Sequence, residues 1–276
     1  MSTAASTATL DRSTRPVRTP PEDLARDQPL PLSRLIGVEV SKMFDTRSGF
    51  WLLTSVGISA VLATAATVLF APDADLTYGS FAAAVGFPMS VILPMIAILS
   101  VTSEWSQRTG LTTFTLIPHR GRVFRAKLIA TLGVGVASIA IAFATGAVGN
   151  LVGTAISGTP TVWDISVPNA ALIFLADGLG MLMGFTLGVL VRNSAGAIVG
   201  YFVYALVLPA ALGTLASYQH WFASRQGWID FNFSSTRLYD GDLAGADWAH
   251  LASSGMIWLV IPLAIGLRLV LRTELK

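Results

Sequence analysis

The chain has 276 residues, 53% hydrophobic and only 12% charged, with a net charge of +2 and a pI near 9.1. Soluble domains carry about 25% charged residues, so this composition and a mean hydropathy of +0.64 exclude an ordinary water-facing globule. The absence of cysteine excludes disulfides, zinc–thiolate sites and iron–sulfur clusters.

Residues 1–31 differ from the rest. They are rich in Ser, Thr, Ala, Pro and Arg, with Pro16, Pro20, Pro21, Pro29 and Pro31. No apolar run follows the early arginines, as a secretory signal requires, so the stretch reads as a disordered cytoplasmic tail. Residues 32–276 read as one all-α integral membrane domain. Within 32–47, Leu32, Leu35, Ile36, Val40, Met43 and Phe44 recur at helical spacing, while Arg34, Glu39, Ser41, Lys42 and Asp45 lie mostly elsewhere. That pattern predicts an amphipathic helix in the inner membrane interface.

Six apolar runs follow, at 50–71, 78–101, 128–154, 168–191, 195–217 and 250–271. Each approaches or exceeds the ~20 residues a helix needs to cross the hydrocarbon core. Helices satisfy every backbone polar group inside lipid, and the runs lack the alternation of barrel strands. Of the 18 Lys and Arg residues, all but Arg225 and Arg237 fall on one side of the resulting topology. The opposite side carries Asp73, Asp75, Asp164, Asp230, Asp240, Asp242 and Asp247. This bias predicts that both termini are cytoplasmic. The last outside loop, 218–249, holds Trp221, Phe222, Trp228, Phe231, Phe233 and Trp248. Aromatic residues suit the membrane interface. Short helices dipping back toward the membrane are predicted there, with a plain extracellular loop as the alternative.

Several chemistries are missing. A P-loop needs Gly-Lys-Ser/Thr, yet Lys42, Lys127 and Lys276 follow Ser, Ala and Leu. There is no His-Glu-x-x-His helix and no Gly-x-Ser-x-Gly elbow. His119, His220 and His250 are far apart and in or beside loops, so no metal site is expected. Gly178-Leu-Gly180 opens like a dinucleotide fingerprint but sits mid-membrane. The chain is expected to be neither an enzyme nor a nucleic-acid binder, and to hold no cofactor of its own.

The segment 103–127 carries more information. Gly110 can break the second span's helix, and Pro118 would end a short helical turn over 111–117. Leu111, Phe114 and Leu116 give that turn an apolar side too short to bury itself, which suits a protrusion that docks on a cytoplasmic partner. The plainer reading is a basic loop that only sets topology. Pro88 and Pro94 in the second span each remove a backbone donor, so a loosened span attached to this loop is a candidate lever; better packing is the plainer alternative. Gly180, Gly184 and Gly188 form a small-xxx-small row, as do Gly196 and Gly200. Such rows let helices approach closely; packing within one subunit is the expected use, with a subunit interface as the alternative. Asp177 lies near the middle of the fourth span, where ionisable residues are by default functional. Its candidate roles are cation binding, a proton site, or a hydrogen bond to Asn150 or a threonine.

Three pieces carry a resemblance. Glu104-Trp-(x)2-Arg-Thr-Gly110, Leu116-Ile-Pro-His-Arg120 and Arg125-Ala-Lys127 resemble the cytoplasmic loop of exporter-type permease subunits of ATP-binding-cassette transporters. Arg34–Lys42 with Arg47 is similar to that family's helix before the first span, and 180–194 to its fourth-span exit. The resemblance implies two six-span subunits, identical or different, paired in the plasma membrane. Each would dock on a separate cytoplasmic P-loop ATPase that binds ATP and Mg. The coupling helix would lie near 111–117, with Glu104, Arg108, Leu111, Phe114 and Leu116 as contacts. An amphipathic or hydrophobic substrate (a drug, antibiotic, peptide or lipid-like molecule) would move outward. Two rival readings stay open: an ion-coupled secondary transporter using Asp177, and a non-transporting scaffold or sensor.

Overall fold

The computed structural model describes residues 31–106, 120–241 and 243–272. Each apolar run is a helix. The spans are, in order, Arg47–Phe70, Tyr78–Ser106, Arg120–Ser157, Val167–Val191, Ser194–Tyr218 and Gly245–Val270. Among the described residues these six are the helices long and apolar enough to cross a membrane. No strand occurs among those residues, and the one bridge, between Thr77 and Val162, is isolated. The surface agrees with a multi-pass membrane chain: Val61, Leu62, Leu69 and Phe70 of the first span are all more than half exposed. Apolar side chains stand outward where lipid, not water, is the solvent.

The spans share the core unequally. Half of the fourth span's apolar window is buried, against 17% for the first and fifth, so the fourth is the axis of the bundle and the fifth part of its rim. The glycine row explains how the fourth span packs so closely on the second. A Cβ added at Gly184 would lie 2.5 Å from the Pro94 carbonyl oxygen, and one at Gly188 would meet the Val101 side chain. The row therefore serves packing within this chain.

The second span runs as one helix through Pro88 and Pro94. Pro94 has no N–H, so the carbonyl of Ser90, four residues earlier, loses its helical partner. The Tyr201 hydroxyl of the fifth span donates to that carbonyl at 2.8 Å, so a proline defect in one helix becomes a tie to another. Prolines shape the fifth and sixth spans differently. Each contains a π-turn, Val203–Val207 and Met256–Val260, closed by Leu208 N–H to the Val203 carbonyl and Ile261 N–H to the Met256 carbonyl. Pro209 and Pro262 follow directly. A proline ring crowds the carbonyl four residues back, and a wider turn beside it relaxes that crowding. The two π-turns meet through the rings of Tyr204 and Trp258, 5.9 Å apart.

The leading helix forms at Leu32–Asp45, and its buried residues are Leu35, Glu39 and Met43. Expected off the apolar face, Glu39 instead lies at the centre of the buried one. The helix packs on the third span through Met43, Ala130 and Val134.

The loop expected at 218–249 contains three short helices, His220–Ala223, Gln226–Ile229 and Phe231–Asp240. The third, here the wedge helix, starts under an Asp230 cap, whose Oδ1 accepts from Phe233 N–H at 3.1 Å. It ends at Gly241, with φ +83°. Glycine is suited twice there: the left-handed backbone costs it nothing, and a Cβ would press on the Asn169 amide at 2.7 Å. Phe231 and Leu238 of the wedge join a core cluster with Ala176, Tyr201, Tyr204 and Leu259. The loop thus dips in among the spans.

Candidate functional site

A cavity of about 860 Å³ opens between the second, fourth and fifth spans and the wedge helix. The second span contributes its first half, from Gly79 to Pro94. The fourth contributes Ile173, Ala176, Asp177 and Gly180; the fifth contributes Tyr201, Phe202, Tyr204 and Leu206; and the wedge contributes Phe231, Asn232, Ser235, Thr236 and Tyr239. The walls are mostly apolar and aromatic, with a few polar groups placed among them, as in pockets that hold drug-sized molecules.

Asp177 is the most constrained polar group of this wall, with only 5% of its surface exposed. It is the eleventh residue of the fourth-span helix, about 15 Å along at 1.5 Å per residue. The Tyr239 hydroxyl donates to its Oδ1 at 2.9 Å. Burial and the neighbouring Asp177 carboxylate both raise the Tyr239 phenol far above its usual value, so the phenol remains a donor at any physiological pH. This partner differs from both that the sequence offered. Asn150 is elsewhere: its Nδ2 donates to the Val162 carbonyl at 2.9 Å, holding the third-to-fourth loop. The same loop places Asp164, whose Oδ1 accepts from Gly79 N–H at 2.6 Å at the start of the second span.

Pro94 lies in the cavity wall, fixed by its contact with Gly184 and by the Tyr201 tie at Ser90. Pro88 lies on the same helix, six residues earlier. Of the expected partner contacts, Arg108, Leu111, Phe114 and Leu116 lie outside the described residues, as does the side chain of Glu104.

The opposite end of the bundle holds a second polar centre that the spacing of charges did not reveal. Lys127 Nζ donates to Glu39 Oε2 at 2.5 Å, and Lys42 Nζ to Glu39 Oε1 at 2.6 Å. The Glu39 and Lys127 side chains are 6% and 3% exposed. Burial pushes the Glu39 carboxyl up, but the two ammonium groups, Lys127 foremost, outweigh it and hold it below its ordinary value. The pair lines a cavity of only about 190 Å³ with Ser100 and Ser103. Glu39 and Lys127 both stand in the stretches that carry the family resemblance, so each was visible in the sequence. Their pairing, 88 residues apart, was not.

No protein-family model matches this chain, and no curated protein matches it.

Proposed function

We propose that the chain is the transmembrane permease subunit of an ATP-driven exporter, moving an amphipathic or hydrophobic molecule outward with energy from a separate ATPase. One observation carries the reading: a single unbroken helix, Tyr78–Ser106, forms a wall of the large cavity and then runs to the foot of the 103–127 loop. A push on that loop reaches the cavity through one continuous helix. The cavity volume falls in the range of about 300–1,000 Å³ typical of small-molecule sites.

In this reading both termini are cytoplasmic, and the leading helix lies in the inner interface. Glu104, Arg108, Leu111, Phe114 and Leu116 meet the ATPase, which binds the ATP and Mg. Two permease and two ATPase subunits form the working complex in the plasma membrane. The chain itself contributes the path and the lever, not the hydrolysis.

The test is a pull-down of the full chain in mild detergent, followed by an ATPase assay of the proteins that accompany it. A Glu104→Ala, Phe114→Ala double variant serves as the comparison. Co-purification of a P-loop ATPase whose binding or turnover falls in the double variant supports the reading. A folded chain with no ATPase partner overturns it. The ion-coupled alternative then takes its place, because Asp177 lines the cavity and is the residue such a transporter would use.

A further inference from the structure

The wall of the large cavity is asymmetric in charge. Among the described residues that line it are two carboxylates, Asp164 and Asp177, and no lysine, arginine or histidine. The two carboxylates are not equivalent. Asp164 caps the second span, accepting from the Gly79 amide at the positive end of that helix, so much of its charge is already met. Asp177 is buried and receives a phenol hydrogen bond, with no basic side chain within ion-pair distance of it among the described residues. The wedge helix does carry a cation, Arg237, but that guanidinium turns to Asp247 at 3.2 Å and to the Phe233 ring at 5.4 Å. Arg237 is absent from the cavity wall.

A carboxylate in a low-dielectric wall attracts a positive charge far more strongly than one in water. The rings around it add to that preference: Tyr201, Tyr204, Phe202 and Phe231 present aromatic faces or edges to the same space, and aromatic faces attract cations. A divalent metal that needs a cage of several charged ligands fits this wall poorly. A calcium ion takes six to eight oxygen ligands, and no group of three or more His, Cys, Asp or Glu that could hold a metal occurs among the described residues. A space of about 860 Å³ with apolar walls suits a body of many carbon atoms.

We infer that the cavity recognises an organic cation: a bulky apolar or aromatic molecule with a single positive charge, which sits against Asp177. This rests on the cavity being the compartment that receives substrate, and it narrows the amphipathic class to its positively charged members. Asp177 is the charge-selecting residue. The Tyr239 hydroxyl positions its carboxylate from the wedge helix.

The experiment uses the full chain, purified alone into phosphatidylcholine nanodiscs, with empty nanodiscs as the blank. The probes are tetraphenylphosphonium and tetraphenylborate, which share shape and apolarity but carry opposite charge. Saturable binding of the phosphonium at least about tenfold tighter than of the borate, a preference lost in Asp177→Asn, is the expected result. Equal affinity for both probes, no saturable binding of either, or an undiminished preference in Asp177→Asn would overturn the inference. Should Asp177→Asn not fold, Ser235→Lys places a cation in the same wall; it is expected to abolish phosphonium binding, and an unchanged preference in that variant also overturns the inference. No ATPase enters the assay. Intact cation selectivity with no ATPase partner in the pull-down would therefore remove the exporter reading and leave this one standing; the reverse pair of results would remove this one alone.

Discussion

Glu39, in the leading helix, and Asp177, partway along the fourth span, are both buried carboxylates, and the two are treated in opposite ways. Glu39 is matched by Lys127 and Lys42 in a small space. Asp177 faces a space more than four times larger, with a phenol for a partner. A buried carboxylate matched by a lysine is finished: its charge is answered inside the chain, and its work is to join the leading helix to the third span. A buried carboxylate held only by a hydroxyl keeps most of its charge for whatever enters. The comparison separates a structural acid from a receptive one by the company each keeps rather than by depth.

The sharpest way to break the comparison is to remove the answering charge. Lys127→Met leaves Glu39 buried beside the more exposed Lys42, and breaking a buried pair in this way costs about 3–5 kcal/mol. Thermal unfolding in detergent should show a large loss. The double variant Glu39→Met, Lys127→Met should recover most of it, because an apolar pair of similar volume is often neutral. A double variant as unstable as the single one would mean that the pair has no shared role. The pH dependence sharpens the point. The Glu39 carboxyl sits below its ordinary value in the fold, so its contribution is complete above the unfolded value of about 4.3 and is lost as pH falls through the lower folded one. The stability gap between wild type and Glu39→Gln should therefore hold down to about pH 5 and narrow only below about pH 4.

A smaller loss is expected at the proline tie. Tyr201→Phe leaves the half-buried Ser90 carbonyl without its donor, which costs about 1 kcal/mol, the low end of the range for an unsatisfied buried group. Unchanged melting in that variant would mean that water in the cavity, which Ser90 lines, takes the place of the hydroxyl. The smallest effect belongs to Asp177→Asn. The asparagine carbonyl can still accept from Tyr239, so stability should stay within about 1 kcal/mol of wild type while cation selectivity disappears. A collapse as deep as that of Lys127→Met would place Asp177 with Glu39 among the structural acids.

Much of the helix pattern was legible in the sequence, because hydropathy over ~20 residues is a local signal. The span boundaries at Tyr78 and Val191 match, and the aromatic 218–249 segment folds into short helices as read. What was hidden depends on contacts between distant residues. Asp177 stood out as a lone acid, but its partner Tyr239 lies 62 residues away on a loop helix. The leading helix taken alone predicts an outward, polar Glu39; Lys127, 88 residues on, gives its inner face a charge to meet. The π-turns leave one trace in the sequence: Pro209 and Pro262, each inside an otherwise apolar run. Of the two prolines read as a lever, Pro94 lines the cavity and Pro88 does not.

Those two π-turns have a geometric consequence. A π-turn holds one residue more than an α-turn, so every side chain beyond it is rotated by about 100° from where an unbroken helix would point it. The fifth and sixth spans are thus each two half-helices set out of phase, and the joints of both lie at one level, where Tyr204 touches Trp258. One surplus residue in each span lets the halves above and below face different neighbours. Deleting a single residue within Val203–Val207 would restore a continuous helix and, with it, turn one half of the fifth span away from the partners it now has.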